Sequence, residues 1–257
     1  MISFLITAIK IIFLLGFLIF IHESGHFLVA KLCKVKVNEF AIGFGPTIWK
    51  KQGKQTKYAL RLIPLGGFVN MEGEEQESDE DGSFSKASVT KRIVIVAAGA
   101  TVNIVFGLIV FFILMTIYHT GMELLPSENN FGSHLSFACE QTKEFIFSII
   151  DNLKQLFTGK VGPDQMMGPV GISSVVAKTD GWFDCIYILS LISLSLGVTN
   201  LLPIPALDGG KILILIIEAI RRKPLKQELE LKIQLLGFSV IIAISLFITW
   251  NDIIRLF

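Results

Sequence analysis

A metal-ligand pattern stands inside a long apolar segment near the start of the chain. His22, Glu23 and His26 form the sequence H-E-S-G-H at the end of an apolar run that begins at Ile2. On a helix, residues four apart share a face with their Cβ atoms about 6 Å apart, so two imidazoles can bind one ion while Glu23 reaches a water bound to it. The pattern therefore predicts a metal site on a helix that is also suited to cross a bilayer.

The alternative interpretation of this motif is a pair of structural histidines at a helix end, bonded to backbone carbonyls. The chain has only 4 His in 257 residues, so a chance pair with an adjoining glutamate has a frequency on the order of a few in a thousand. A histidine inside a membrane segment is also a functional candidate by default. We favour metal binding, because H-E-x-x-H is a signature of zinc-dependent proteases.

The composition is that of an integral membrane protein. Hydrophobic residues make up 52% of the chain and 21 are Phe, which suits a surface that faces lipid. The net charge is +1, and the basic residues form no groove-sized patch, which argues against nucleic-acid binding. Cys33, Cys139 and Cys185 are too scattered for a disulfide framework or a zinc ribbon. A cleaved signal peptide at the N-terminus is disfavoured, because Lys10 interrupts the apolar run and no small-residue cleavage site follows.

Four segments are long and apolar enough to cross a bilayer, which requires about 20 residues. They are residues 2–21, 93–118, 186–217 with a break near 203–210, and 233–250. Lysine and arginine concentrate in the loops after the first and third spans, so both loops are predicted to be cytoplasmic. The chain is then a multi-pass protein of the inner or plasma membrane, with both termini on the extracytoplasmic side.

Outside the spans, the sequence predicts a β-region and an interfacial helix. Residues 35–71 mix β-forming residues with glycine and proline and are predicted to form strands. An acidic run at 72–81 is typical of a solvated, mobile loop. Residues 137–157 repeat apolar side chains at helical spacing, which indicates an amphipathic helix at the membrane surface.

The histidine pair needs a third protein ligand, because a catalytic zinc site usually has three and keeps one position for water. Asp208 lies in N-L-L-P-I-P-A-L-D-G-G, inside a segment that is otherwise apolar. A carboxylate there needs a counter-charge, which a metal ion supplies. Prolines and glycines break the helix at this point, and broken backbone at membrane depth is tolerated where it lines a wet cavity. The alternative is that Asp208 only caps the following helix.

The chain resembles the site-2 protease family of intramembrane zinc metalloproteases, in the bacterial branch that cleaves anti-sigma factors and signal-peptide remnants. Six motifs in order carry the resemblance: H-E-S-G-H-F (22–27), F-G-P (44–46), I-P-L-G-G-F-V (63–69), A-A-G-A-T-V-N (97–103), G-P-V-G-I (168–172) and N-L-L-P-I-P-A-L-D-G-G (200–210). The resemblance implies four spans with a membrane-associated β-hairpin after the first. It also implies one Zn²⁺ per chain, bound by His22, His26 and Asp208, with Glu23 as the catalytic carboxylate and Asn200 beside the site.

The hairpin is expected to take part in substrate binding. Its sheet edge could pair with an unwound substrate segment, and Gly66 and Gly67 would permit close backbone approach, next to Phe68. Expected partners are therefore single-span membrane proteins within the lipid bilayer. The sequence departs from the family at Ala100, where the family usually has proline, and it leaves no room for the PDZ domain normally found between the second and third spans.

Other function classes remain to be weighed against a protease. The main alternative is a catalytically silent membrane protein that holds zinc and binds transmembrane helices. Glu23 disfavours it, because a structural zinc site is usually closed by a fourth ligand and needs no adjoining carboxylate. A soluble-domain zinc protease would place its motif in a polar region, and a transporter would show an internal repeat. Neither feature is found.

Overall fold

Long apolar helices make up most of the chain in the computed structural model, which describes residues 2–74, 76, 78–121, 130–160, 168–179 and 181–254. One β-hairpin interrupts them. In chain order the elements are α1 (Ile2–Leu32), β1 (Val37–Gln52), β2 (Lys57–Met71), α2 (Val89–Thr120), α3 (Phe131–Phe157), α4 (Pro169–Ala177), α5 (Trp182–Asn200), α6 (Asp208–Arg221) and α7 (Gln227–Ile254).

Four helices are apolar and long enough to span a membrane: Leu5–Leu32, Val89–Thr120, Trp182–Asn200 and Glu228–Ile254. Many of their large apolar side chains are exposed; Phe13 and Leu235, for example, have 68% and 63% of their surface exposed. Such a surface is stable only against lipid. The predicted architecture of four spans with a hairpin after the first is confirmed.

The first helix continues well beyond the predicted span and carries the histidine motif within it. It ends where Lys34 adopts a left-handed conformation with φ of 61°. The amide of Val35 then donates to the carbonyl of Ala30 at 2.8 Å, which is the bonding pattern of a Schellman cap. The motif therefore lies on a continuous helix, with His22 and His26 one turn apart.

The two strands form one antiparallel hairpin that bends in the middle. Residues 37–42 lie opposite 67–71, residues 47–52 lie opposite 57–61, and residues 39–42 also pair with 57–60. Strand β1 bends at Gly43 and Gly45. Their φ angles of 87° and 82° lie in the left-handed region that favours glycine. The distal part exposes Ile48, Trp49 and Leu62, as expected for a hairpin that contacts the membrane surface.

The third apolar segment contains two helices separated by a turn. Helix α5 ends at Asn200, α6 begins at Asp208, and the turn between them places Ala206 at a φ of 76°. A Cβ on Gly209 would lie 2.2 Å from the carbonyl oxygen of Leu202, and one on Gly210 would lie 2.3 Å from that of Ile204. Only glycine therefore lets the first turn of α6 pack so closely against the preceding turn.

The chain divides into two compact units whose boundary falls within three of the helices. One unit comprises Met1–Ile104 and Ser195–Ile241, and the other comprises Val105–Leu194 and Ile242–Phe257. The first has a buried core of Ala30, Val35, Val37, Met71, Phe84, Ile95, Val96 and Leu215. The second is centred on Phe111, Leu114, Met115 and Ala138.

In the second unit, the G-P-V-G-I motif begins helix α4. The buried carboxylate of Asp252 accepts hydrogen bonds from the amides of Gly168 and Gly171 at 2.9 and 2.8 Å. These amides belong to the first turn of the helix and have no carbonyl partner within it. The motif therefore has a structural role in joining α4 to the end of α7.

Candidate metal centre

Three side chains from two helices converge on one point. His22 and His26 come from successive turns of α1, and Asp208 is the first residue of α6. The Nε2 atoms of the histidines are 3.2 Å apart, and Asp208 Oδ2 lies 3.2 Å from His22 Nε2 and 3.5 Å from His26 Nε2. Ligands held about 2.05 Å from a tetrahedral ion are roughly 3.3 Å apart. The three donor atoms thus have the spacing that one zinc ion requires.

The aspartate oxygen in this triangle is otherwise unsatisfied. Asp208 Oδ2 is buried and has no hydrogen-bond partner among the described residues. A zinc-binding imidazole coordinates through a nitrogen that carries no proton, so neither Nε2 would donate to it. A buried carboxylate oxygen without a donor is costly, and a cation at the centre of the triangle removes that cost. Two imidazoles and one carboxylate are also a donor set that zinc accepts.

The opposite ring nitrogens of both histidines have partners in α2. His26 Nδ1 lies 2.9 Å from the carbonyl oxygen of Ile95, which can only accept, so Nδ1 carries the proton and Nε2 is the ligand atom. His22 Nδ1 lies 3.4 Å from the side-chain amide of Asn103, which is fully buried. Such contacts orient metal-binding histidines and fix their tautomer.

Sequence reasoning quoted the motif that ends in Asn103 but assigned this residue no role. A signal was present, because an amide inside an apolar span is expected to have a specific partner. Its partner could not be inferred without the packing of α2 against α1.

Glu23 lies beside the three donors and is not one of them. It lines a cavity of about 210 Å³ together with His22, His26 and Asp208. A Cβ on Gly67 would lie 3.0 Å from Cγ of Glu23, so β2 passes directly over this side chain. The glutamate is thus held in the cavity that the metal ligands face.

Glycine permits the close approach of α2 to the histidine helix. A Cβ on Gly99 would lie 2.3 Å from Nε2 of His26, and one on Gly25 would lie 2.6 Å from the carbonyl oxygen of Ala98. Any larger residue at either position would separate the helices or displace the ring. Ala100, the departure from the family pattern, is fully buried and is not among the residues that line the cavity.

Of the four residues predicted to bind substrate, two line the site cavity and two do not. Gly67 and Phe68 line the site cavity, whereas Gly66 and Asn200 are not among its lining residues. Gly66 has a φ of 137°, and a Cβ on it would overlap the ring of Phe44, so its place in the hairpin explains it without a ligand. Asn200 is the last residue of α5 and is half-buried. Its proposed role beside the site stays a prediction.

The acidic run after the hairpin is only partly the solvated loop that the sequence indicates. Glu74 forms an ion pair with Lys211 of α6 at 2.5 Å, and both line the site cavity. Hydrogen bonds from Ser78 and Asn38 hold the pKa of Glu72 below its usual value. Residues 75 and 77 lie outside the described residues. This segment therefore forms part of the wall beside the donors.

The chain is similar to known metalloproteases. The model of Peptidase family M50 matches residues 10–244. The chain is 26% identical to the regulator of sigma-W protease RasP of Bacillus subtilis, covering 99% of this chain and 100% of that protein. It is 25% identical to the zinc metalloprotease RasP of Bacillus licheniformis, covering 98% and 99%. The alignments extend over 421 and 417 positions, so both relatives contain residues without a counterpart in this shorter chain.

Proposed function

Because the chain belongs to peptidase family M50, and is thus a multi-pass membrane zinc metalloprotease of the site-2 protease type, we propose that it is an intramembrane endopeptidase. Its substrates would be single-span membrane proteins, cut within or near the transmembrane segment. The observation that carries the proposal is the triangle of donor atoms from His22, His26 and Asp208. Its two histidines lie on a helix apolar enough to span a bilayer.

Each side chain of the site has a separate role in this proposal. His22, His26 and Asp208 would hold zinc, which when bound makes water more acidic and polarises a peptide carbonyl. Glu23, in the same cavity, accepts a proton from the attacking water and then donates it to the leaving amine. Ile95 and Asn103 hold the imidazole rings in the orientation that this chemistry needs.

The hairpin edge would hold the substrate. A peptide bond inside a helix is hydrogen-bonded and shielded, so the substrate must unwind locally before hydrolysis. Residues 67–71 pair with 37–42 on one side only, and Gly67, Phe68 and Val69 line the site cavity. An extended segment added to this edge would bring its backbone to the metal ligands.

The biological substrate class follows from the relatives and is proposed for this chain. One relative is named regulator of sigma-W protease RasP, and an anti-sigma factor or a signal-peptide remnant would have the required single span. The basic loops after the first and third spans favour a cytoplasmic location for both, with the two termini on the extracytoplasmic side.

The test is Glu23→Gln in purified protein reconstituted with a single-span substrate. We expect the variant to retain one equivalent of zinc and to lose cleavage by about a thousandfold or more, because glutamine cannot transfer the proton. The matched control is Glu144→Gln, an exposed glutamate on α3, which should leave both quantities unchanged.

Two results would contradict the proposal in different ways. Undiminished cleavage by Glu23→Gln would remove the assigned role of this residue. Wild-type protein that binds the substrate and zinc without cutting would favour the catalytically silent alternative.

A further inference from the structure

A second cavity continues from the metal site along the edge of β2. Its volume is about 450 Å³, and its walls are Phe68, Val69, Asn70, Glu74, Lys211, Glu230, Leu231 and Gln234. Phe68, Val69, Glu74 and Lys211 line the site cavity as well. The two cavities therefore share a wall made of the hairpin edge and one ion pair. A substrate segment paired with this edge would extend from the metal ligands into the second cavity.

The charges around this groove are balanced in pairs, with one exception. Glu74 pairs with Lys211 at 2.5 Å, and Glu218 pairs with Arg92 at 3.1 Å. Within the described part of the chain, the carboxylate of Glu230 has no cationic group within 4.0 Å. It accepts one hydrogen bond, from the side-chain amide of Gln234 at 3.1 Å. Among the described residues that line the groove, Glu230 is thus the carboxylate without a direct ion pair, and Lys211 and Arg92 act on it only from a greater distance.

Helix α7 holds Glu230 at a fixed position relative to the metal ligands. A Cβ on Gly237 would lie 2.3 Å from the carbonyl oxygen of Pro205, so α7 packs directly on the turn that precedes Asp208. Glu230 and Gln234 lie on the same face as Gly237, at seven and three residues before it. This contact places the carboxylate about two helical turns, or roughly 10 Å, along α7 from the turn.

We propose that Glu230 forms a subsite for a lysine or arginine side chain of the substrate and thereby determines which peptide segment enters the site. The inference rests on the proposed function and adds a specificity residue to it. A cationic side chain in the groove would pair with Glu230, whereas an acidic side chain would be repelled.

Single-span membrane proteins supply such a side chain at a defined place. Lysine and arginine are enriched where a transmembrane segment reaches the cytoplasmic side. Glu230 lies in the first turn of α7, directly after the basic loop 221–226 that the sequence predicts to be cytoplasmic. The subsite therefore lies at the membrane end where the substrate is expected to carry its positive charges. In an extended substrate segment, successive residues are about 3.3 Å apart. One residue that flanks the transmembrane part of the substrate would therefore reach Glu230.

The experiment measures binding separately from cleavage. Fluorescent single-span peptides are made with a leucine-alanine-glycine span and a serine-glycine flank, with lysine, glutamine or glutamate placed singly at each of six flank positions. Dissociation constants are measured in detergent with the Glu23→Gln protein, which holds the peptides without cutting them. At one or two positions we expect lysine to bind about tenfold more tightly than glutamine, as for a partly desolvated ionic hydrogen bond.

Substitutions in α7 test whether the preference for lysine depends on the carboxylate of Glu230. Glu230→Lys, in the same background, should reverse the order so that glutamate binds best at those positions, and Glu230→Gln should abolish the preference. The control is Glu228→Lys, which makes the same charge change two residues earlier at an exposed side chain that pairs with Lys232. This control should leave the order unchanged.

The outcomes separate the subsite from the protease activity. Equal binding of the three peptides at every position, or a lysine preference that persists in Glu230→Lys, would overturn the subsite. The same peptides are then offered to protein with Glu23 intact. Cleavage with no lysine preference dependent on residue 230 would support the protease activity and contradict the subsite. A lysine preference in binding without any cleavage would support the subsite and contradict the proposed activity.

Discussion

The four histidines of this chain form two pairs, one in each compact unit. His22 and His26 have ring centroids 4.8 Å apart at 79°, and His119 and His134 have centroids 5.0 Å apart at 71°. All four residues are buried, with 6–9% of their surface exposed. In geometry alone, the two pairs are nearly the same. Contact between two imidazoles therefore does not by itself distinguish a metal site.

The surroundings of the two pairs are different. His22 and His26 have Asp208 as a third donor, and theirs is the only such group of three among the described residues. His119 stacks on Phe137 with centroids 4.3 Å apart, and its Nδ1 lies 2.7 Å from His134 Nδ1. One imidazole can donate to the other there without any ion. The comparison predicts that only the first pair binds zinc.

Removal of single side chains from the two histidine sites is the strongest test of this difference. We expect His22→Ala and Asp208→Ala to lose the full equivalent of zinc, because two remaining ligands hold the ion far more weakly than three. His134→Ala should retain the full equivalent. Metal analysis of the purified proteins measures all three.

A zinc equivalent that survives in Asp208→Ala would take this residue out of the coordination sphere. Loss of zinc from His134→Ala, with the fold intact by circular dichroism, would mean that the second pair also binds metal.

Two glycines of α2, one in each compact unit, extend the comparison to helix packing. A Cβ on Gly99 would lie 2.3 Å from Nε2 of His26, about 1 Å short of ordinary contact. A Cβ on Gly107 would lie 2.9 Å from the carbonyl oxygen of Ser190, in the other unit. Gly99→Ala should therefore weaken zinc binding by about a hundredfold, since overpacking costs up to about 3 kcal/mol. Gly107→Ala should lower thermal stability instead, with zinc affinity unchanged.

Zinc competition titrations and melting curves on both variants check this pair of expectations. Equal zinc affinity in Gly99→Ala and wild type would show that α2 does not restrain the ring of His26.

Local sequence patterns sufficed for the four spans and the hairpin, and they also led to the proposed metal ligands. Apolar length indicates a membrane helix whatever its neighbours, and the spacing of His22 and His26 is a property of one helix. Asp208 could be proposed as the third ligand because a carboxylate in an apolar segment is unusual enough to need an explanation. The spans and the hairpin required no knowledge of which helices touch, whereas joining Asp208 to the histidines also used the family resemblance.

Other contacts between distant segments were not predicted. The pairing of Glu74 with Lys211 joins residues 137 positions apart, and the sequence shows only an acidic run. The end of helix α1 was not predicted either, because it depends on a left-handed conformation of Lys34, which the residue type does not indicate. The contact of Asn103 with His22 likewise joins residues 81 positions apart.

Substitution of Asn103 is expected to have the smallest effect of these tests, and within the first histidine pair it changes a contact of His22 only. The zinc-binding tautomer of His22 carries its proton on Nδ1, so the amide oxygen of Asn103 accepts from it, with the amide turned accordingly. Asn103→Leu removes the acceptor and should lower zinc affinity by about tenfold, as is usual for residues that orient a ligand. Asn103→Asp retains an acceptor and should restore the affinity. If the leucine variant binds zinc as tightly as wild type, the ring of His22 is held by helix packing alone, and the amide has no part in distinguishing this pair from His119 and His134.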